Sequence, residues 1–473
     1  MTGKPDLLKS IDRIQHICAV CANACALYAR RARGHIFFTS MHAKNRVFDY
    51  VDSALLPSMI ARRGWLVRLM GWPMRLANVK LLMNVAPGLG HNTVELDLFF
   101  RLQKSGEVPA GARVAFVRKA SQIHRDTLSL YRKRFWYSSA SSLIYYLFYL
   151  PAAASPDLHV DCGLSRLKWH YEPERKLERP ADGQAYLHQI SKAENRDAWR
   201  RYYAIRLQNP DYFPLREGIH PDRQLLEFLN NSAGKKIALI HIKNHVANAT
   251  AAPTDANEYI AAIKWLQEQG YLVVQAGREP LPPQFEALGV LNYAEFSDAT
   301  YRHDLQLFAL ASIAITAGSG IGTLADCMGT PLVYLDSWHL GMPMAAATSV
   351  MVPALVQEVA TGRFLSLKEQ FDLYLALDDV GDEIFPADRY RGRNATSDEI
   401  LAAVQEVIDF TSRKVDLTDR QKAFTRIDED GLISISQSRV SDYFLRKHEE
   451  LLDSGDRPAR CSGQSVSEED ARS

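Results

Sequence analysis

Cysteine is scarce in this chain, with six in 473 residues, too few for a disulfide-built scaffold of this length. Long hydrophobic runs are also missing. The longest apolar stretch, 143–154, contains four tyrosines or phenylalanines and a proline. It falls well short of the roughly 18–20 residues that a membrane-spanning helix needs. The first residues, MTGKPDLLKSIDR, carry acids and no apolar signal region, which predicts a cytoplasmic chain. No Gly-Lys-Ser/Thr phosphate loop is present, and no Asp-x-Asp metal motif stands in a suitable loop. With 47% hydrophobic and 23% charged residues the composition is that of an ordinary globular protein. A disordered or collagen-like chain is thereby excluded, and the length allows two or three domains.

The net charge of +1 hides an asymmetry. Residues 1–150 carry 22 Lys and Arg against 8 Asp and Glu, a balance of 22 − 8 = +14, which leaves 34 − 47 = −13 for the rest. A basic front favours anionic partners: lipid headgroups, an anionic acceptor, or nucleic acid. Nucleic acid is the weakest of these, because no known binding module is visible.

Along the chain, 5–33 reads as a helix with Leu7, Ile11, Ile14, Cys18, Cys21 and Cys25 on one face. Three closely spaced thiols invite a metal reading. Their spacing, however, continues the apolar face of an unbroken helix, and no fourth ligand is evident, so small core residues are expected and no metal or cofactor. The segment 61–83 is apolar and basic, with Trp65, Leu66, Leu69, Met70 and Trp72 among Arg62, Arg63, Arg68 and Arg75. With the aromatic run 134–150 it suits a membrane interface; a buried helix pair against a sheet is the other reading.

From there the pattern becomes strand, turn, helix. A strand at 80–85 enters Gly88-Leu89-Gly90-His91-Asn92 and an amphipathic helix, and 113–117 is the next strand. In the second half, strands are expected at 237–242, 271–275, 290–293, 313–316 and 331–335. Helices are expected at 257–269, 303–311, 323–328, 397–410 (capped by Ser397) and 438–452. Alternation with buried strands predicts an α/β fold with parallel, doubly wound sheets. The expected architecture is two Rossmann-like domains facing a cleft, with a helical N-terminal extension and a C-terminal helix. The divisions are 1–75 (basic extension), 76–220 (acceptor domain), 221–412 (nucleotide-sugar domain), 413–452 (helical tail) and 453–473 (polar and disordered).

Four groups of residues are placed to carry chemistry. The turn 318–323 (GSGIGT) joins a strand to a helix. Its glycines let the backbone approach a phosphate, helix-start N–H groups point at it, and Ser319 and Thr323 add hydroxyls; a tight turn is the bland alternative. His241 and Lys243 end the 237–242 strand on one side, where ligands sit in open α/β sheets. Arg278 follows the 271–275 strand at an equivalent place. His91, after the first glycine turn, suits a general base on a hydroxyl, or else caps the helix; Asp97 is the reserve.

The segments EYIAAIKWLQEQGYLVVQAG, DLQLFALASIAITAGSGIGTLADCMGTPLVYLD and RNATSDEILAAVQEVI resemble a family of bacterial GT-B-like glycosyltransferases of the surface-polysaccharide type. The likeness spans about 235–450, with the turn at 88–92. The 318–323 turn is similar to the nucleotide turn of heptosyltransferases, where the matching Ser319, Gly320 and Thr323 positions hold the donor diphosphate. That resemblance implies transfer of a sugar, without a bound metal and with inversion, from a nucleotide-sugar donor to a hydroxyl of a cell-surface glycan or lipid-linked acceptor. Gly318, Ser319, Gly320, Thr323, His241, Lys243 and Arg278 would serve the donor, and His91 would be the base. Two departures stand out. Gly90-His91 replaces the heptosyltransferases' aspartate base, and Lys243 replaces the arginine of the likened family. A nucleotide-sugar epimerase or a non-catalytic binding protein on the same scaffold are the alternatives. The basic front adds an anionic membrane surface as a partner, with peripheral placement on the inner face of the cytoplasmic membrane.

Overall fold

The computed structural model describes residues 65, 68–83, 89–109, 112–115, 126, 129–131, 151–152, 155–161, 167–168, 188–189, 192–229, 234–242, 255–318, 320–338, 340, 347–376, 388–413 and 415–452. The expected cysteine-bearing helix at 5–33, the aromatic run 134–150 and the last residues, 453–473, lie outside them. Residues 68–170 and 188–473 form one compact unit.

Two parallel sheets organise that unit. β1 (Val79–Met83), β2 (Arg113–Ala115) and β3 (His159–Asp161) form a sheet of order β2-β1-β3. β4 (Leu167–Lys168) and β5 (His188–Gln189) make a short antiparallel pair. The larger sheet takes β6 (Lys236–His241), β7 (Tyr271–Gln275), β8 (Leu291–Asn292), β9 (Ile313–Ala317), β10 (Leu332–Ser337) and β11 (Ser349–Pro353). An antiparallel ribbon, β12 (Leu355–Glu358) with β13 (Tyr390–Arg393), follows, and β14 (Arg439–Val440) returns to the sheet edge. The order is β14-β11-β10-β9-β6-β7-β8, every neighbour parallel. The α/β class expected from the alternation is the one found.

The helices are α1 (Trp72–Leu76), α2 (Leu89–Ser105), α3 (Lys192–Gln208), α4 (Arg223–Phe228), α5 (Ile260–Glu268), α6 (Pro283–Glu286), α7 (Tyr301–Leu310) and α8 (Gly320–Met328). They continue as α9 (Leu367–Ala376), α10 (Ser397–Ser412), α11 (Asp419–Thr425), α12 (Leu432–Ser436) and α13 (Asp442–Lys447). None among the described residues is long and apolar enough to cross a membrane.

The strands of the large sheet are apolar throughout because both faces are covered. Ile237, Leu239 and Ala314 point into a core that includes Val94, Phe99 and Leu102 of α2, Leu307 and Phe308 of α7, and Leu324 and Ala325 of α8. Ala238, Ile240, Ile313 and Ile315 point the other way, onto Ala262, Ile263 and Leu266 of α5 and Ala403, Val404 and Val407 of α10. Helix α2, which follows the first strand of the small sheet, thus shares a core with the large one.

Three expectations are corrected. Helix α2 is not amphipathic: every residue from 93 to 102 is buried, Glu95, Asp97 and Arg101 included. Thr396, not Ser397, caps α10, through a capping box with Glu399. The segment 438–452 is not one helix. Gln437 takes a left-handed φ of 63°, Arg439–Val440 pair with β11, and Ser441 then caps a new helix, α13. Sheet pairing at an open edge outweighs the helical propensity of that stretch.

Candidate functional site

In the large sheet the chain runs from β6 outward through β7 to β8, then crosses back to place β9, β10 and β11 on the other side of β6. The switch point therefore falls between β6 and β9, and ligands of open α/β sheets bind at the carboxyl ends of the strands there. His241 ends β6 and pairs in register with Thr316 of β9. Gly318 follows β9 directly. The two motifs singled out in the second half thus flank this switch point, although 77 residues separate His241 from Gly318.

Helix α8 starts at Gly320 and lies over that row. A Cβ on Gly322 would come within 2.9 Å of Thr316 Oγ1 and of the Tyr334 ring, so this glycine sets how closely the helix lies on β9 and β10. Thr316 Oγ1 is buried there without a hydrogen-bond partner among the described residues. Thr323 is half-buried in the first turn of α8. Gly318 is roomier, since a Cβ there would make only ordinary contacts, with Tyr334 Oη at 3.5 Å and Asp336 O at 3.7 Å.

Gly320 has a partner from the other half of the chain. A Cβ on Gly90 would come within 2.6 Å of Gly320 Cα, and one on Gly320 within 3.0 Å of Gly90 N. Seven residues further along each helix, Tyr202 of α3 bridges Asp97 of α2 and Cys327 of α8, at 2.7 and 3.6 Å. Helices α2 and α8 therefore run side by side in the same direction, with their first turns in contact. Each starts at the carboxyl end of its own sheet, so those two edges meet at Gly90 and Gly320. Two helix N-termini, both positive ends, stand together there. His91 occupies the first turn of α2; its side chain, Ser319 and Lys243 fall outside the described residues.

The remaining mouth positions carry their own counter-groups. His241 is buried, with Nε2 3.6 Å from Glu279 Oε1, and its proximity holds the Glu279 carboxyl below the usual range. Gly277 makes this possible. At φ 102° it favours glycine, and a Cβ would strike Glu279 at 2.3 Å. Arg278 donates a forked pair to Asp304, at 3.1 and 3.4 Å, and lies over the Tyr293 ring at 4.9 Å. Burial pushes the Asp304 carboxyl up, and Arg278 draws it back.

Two features of this edge escaped the sequence reading. Asp336, near the end of β10, is buried in a left-handed conformation (φ 55°) and accepts from Ala395 N at 2.8 Å. Burial pushes its carboxyl up to about 6. An acid closing the apolar run PLVYL is the one signal the sequence offers. The second is the fate of Asp97. This reserve for the base is fully buried, and it accepts from Arg101 Nε at 2.7 Å and from the Tyr202 hydroxyl. Arg101 also donates to the carbonyls of Asn209 and Tyr212, while Arg206 pairs with Asp326 at 2.6 Å and donates to Tyr202 Oη at 3.2 Å. Asp97 is part of the buried polar lattice that joins α2, α3 and α8, and no position is left for it as a base.

No protein-family model matches the chain, and no curated protein matches it. Among solved structures, it is similar to the dodecameric iron-containing glycosyltransferase TibC from enterotoxigenic E. coli H10407, at 14% identity over 71% of this chain and 80% of that one, with a TM-score of 0.41. It is also similar to E. coli ADP-heptose LPS heptosyltransferase II, at 13% identity over 71% of this chain and 99% of that one, with a TM-score of 0.38. A glycosyl transferase family 9 protein from Veillonella parvula DSM 2008 follows, at 12% identity over 54% and 79%, with a TM-score of 0.30. Likenesses this distant carry no argument about the reaction.

Proposed function

We propose that this chain is a GT-B-type glycosyltransferase that moves a sugar from a nucleoside-diphosphate donor to a hydroxyl of a cell-surface glycan or lipid-linked acceptor. The observation that carries the reading is the meeting of the α2 and α8 first turns at Gly90 and Gly320, at the carboxyl edges of both sheets and beside the β6–β9 switch point. Two adjacent positive helix ends are stabilised by an anion, and a diphosphate supplies one. The resemblance of 318–323 to a heptosyltransferase nucleotide turn supports the same assignment.

In this reading Gly318, Ser319, Gly320 and Thr323 hold the diphosphate, with His241 beneath them. Lys243 and Arg278 balance the charge that develops on the leaving group; Asp304 orients Arg278. His91 takes the proton of the acceptor hydroxyl. The acceptor oxygen bonds to the anomeric carbon as the carbon–oxygen bond to the diphosphate breaks, and the nucleoside diphosphate leaves with the electron pair. The basic front half draws an anionic acceptor.

A thermal-shift panel of nucleoside diphosphates, monophosphates and nucleotide sugars tests this. A ligand that binds only the folded chain raises the melting temperature by mass action. A nucleotide-selective rise that Ser319→Ala and Lys243→Ala both abolish is the expected result. Turnover of a nucleotide sugar without acceptor would replace the transferase by an epimerase, and no stabilisation by any nucleotide would overturn the reading.

A further inference from the structure

Helix α1 has two apolar faces, and among the described residues only one of them is packed. With residues 68–70 it makes a short two-part helix broken at Gly71. Gly71 and Met74 form the inward side: a Cβ on Gly71 would come within 2.4 Å of Leu158, and Met74 is buried. Leu69, Trp72 and Leu76 recur at steps of three and four, so they share the opposite face. They are 59%, 60% and 67% exposed. Arg68 and Arg75 flank that stripe. Arg75 is forked onto Asp157, at 2.8 and 3.1 Å, whereas Arg68 has no acidic partner among the described residues. The surrounding sequence has one sign only: residues 53–94 contain no Asp or Glu and five Lys or Arg.

We propose that this face docks on an anionic lipid bilayer. Tryptophan and leucine on one side with arginine beside them fit the boundary between acyl chains and headgroups, where aliphatic parts bury and guanidinium groups meet phosphates. A second copy of the chain would set one Arg68, which has no acidic partner among the described residues, beside another, and the like charges oppose that pairing. The surface lies before the first residue of β1, and Gly90 lies beyond its last. At about 3.3 Å per residue, the five residues of β1 separate that surface from the Gly90 edge by a strand's length. Docking therefore concentrates the chain at the membrane without burying that edge, and it stands independently of the reaction proposed above.

Flotation of the full chain with vesicles of pure phosphatidylcholine, and of equimolar phosphatidylcholine and phosphatidylglycerol, tests the inference. The chain is expected to float with the anionic vesicles. Leu69→Ser, Trp72→Ser and Leu76→Ser together should lower that binding at least about tenfold, and Arg68→Glu by roughly fivefold with a strong dependence on salt. Leu207→Ser and Leu226→Ser, at exposed leucines elsewhere, should change nothing. An unchanged melting temperature of the triple variant separates lost docking from lost folding. Failure of the chain to float with either vesicle would overturn the proposal, as would a triple variant that floats like the parent. So would a triple variant that only turns a dimer into monomers in sedimentation.

Discussion

Helices α2 and α8 hold equivalent places and are built in opposite ways. Each follows a parallel strand, starts at the carboxyl edge of its sheet and offers a glycine to the other. Helix α8 is small and apolar. Its buried positions are Gly322, Leu324, Ala325, Asp326, Cys327 and Met328, and Gly322 lets it sink onto Thr316 and Tyr334. Helix α2 buries Glu95, Asp97 and Arg101 among its apolar residues. Asp97 accepts from the Tyr202 hydroxyl of α3 and from Arg101 Nε, Arg101 also donates to the carbonyls of Asn209 and Tyr212, and Arg206 of α3 pairs with Asp326 of α8. Lost volume at Gly322 seats α8 on its sheet, whereas a buried polar lattice ties Asp97 and Arg101 of α2 to α3 and, through Asp326 and Cys327, to α8. The first device is cheap and local; the second needs a third element from elsewhere in the chain.

The contrast can be broken most severely at the lattice. Arg206→Ala leaves Asp326 buried without its partner and should cost about 3–5 kcal/mol, read as a loss of urea-unfolding stability. Replacing both residues by apolar ones of similar volume should recover most of the loss. A milder break lies at the glycine contact. Gly90→Ala places a methyl against the Gly320 backbone, which cannot rotate away, and should cost about 1–3 kcal/mol in the same measurement.

Acidity sharpens the comparison within the large sheet. The Asp336 carboxyl, raised by burial from 3.8 to about 6, holds its proton longer in the folded chain. The folded state therefore binds more protons between those values, and stability falls as pH rises through them. Asp336→Asn keeps an acceptor for Ala395 N and should be more stable than the parent at pH 8, by about 3 kcal/mol, with the gap closing near pH 4. Glu399 has the opposite sign. Burial would raise its carboxyl, but bonds from His448, Thr396 N and Lys447 bring it from 4.5 down to about 2. Its contribution is complete above pH 4.5 and is lost as pH falls toward 2. Acid melts of Glu399→Gln and the parent should therefore converge in that window. The smallest effect belongs to Gly318→Ala. Its methyl would make only ordinary contact, so stability should stay within about 0.5 kcal/mol while any nucleotide-induced rise in melting temperature shrinks.

The strands of the second half were legible because a doubly covered sheet leaves short apolar runs between turn residues. The expected 313–316, 271–275 and 331–335 differ from β9, β7 and β10 by no more than two residues at either end. The glycine turn at 318–322 and the position of His241 were legible for the same reason. The partners that surround these positions were not. Glu279 beside His241, Asp304 under Arg278 and the buried state of Asp97 depend on residues 38, 26 and 105 positions away, in the last case Tyr202. Nothing in the local pattern around Asp97 distinguishes a buried acid from a solvated one.

The sequence by itself determined the alternation of helix and strand, the fully buried strands, the two glycine-bearing helix starts and the basic front, because each is written in side chains close together in the chain. Tertiary structure alone decided that Gly90 faces Gly320, that residues 93–102 of α2 are buried on every side, and that 438–452 gives up its helix to finish a sheet edge. Those outcomes depend on which surfaces meet. A contact between residues 230 positions apart is chosen by packing volume and by the pairing of buried charges such as Arg206 with Asp326, and no local periodicity encodes either.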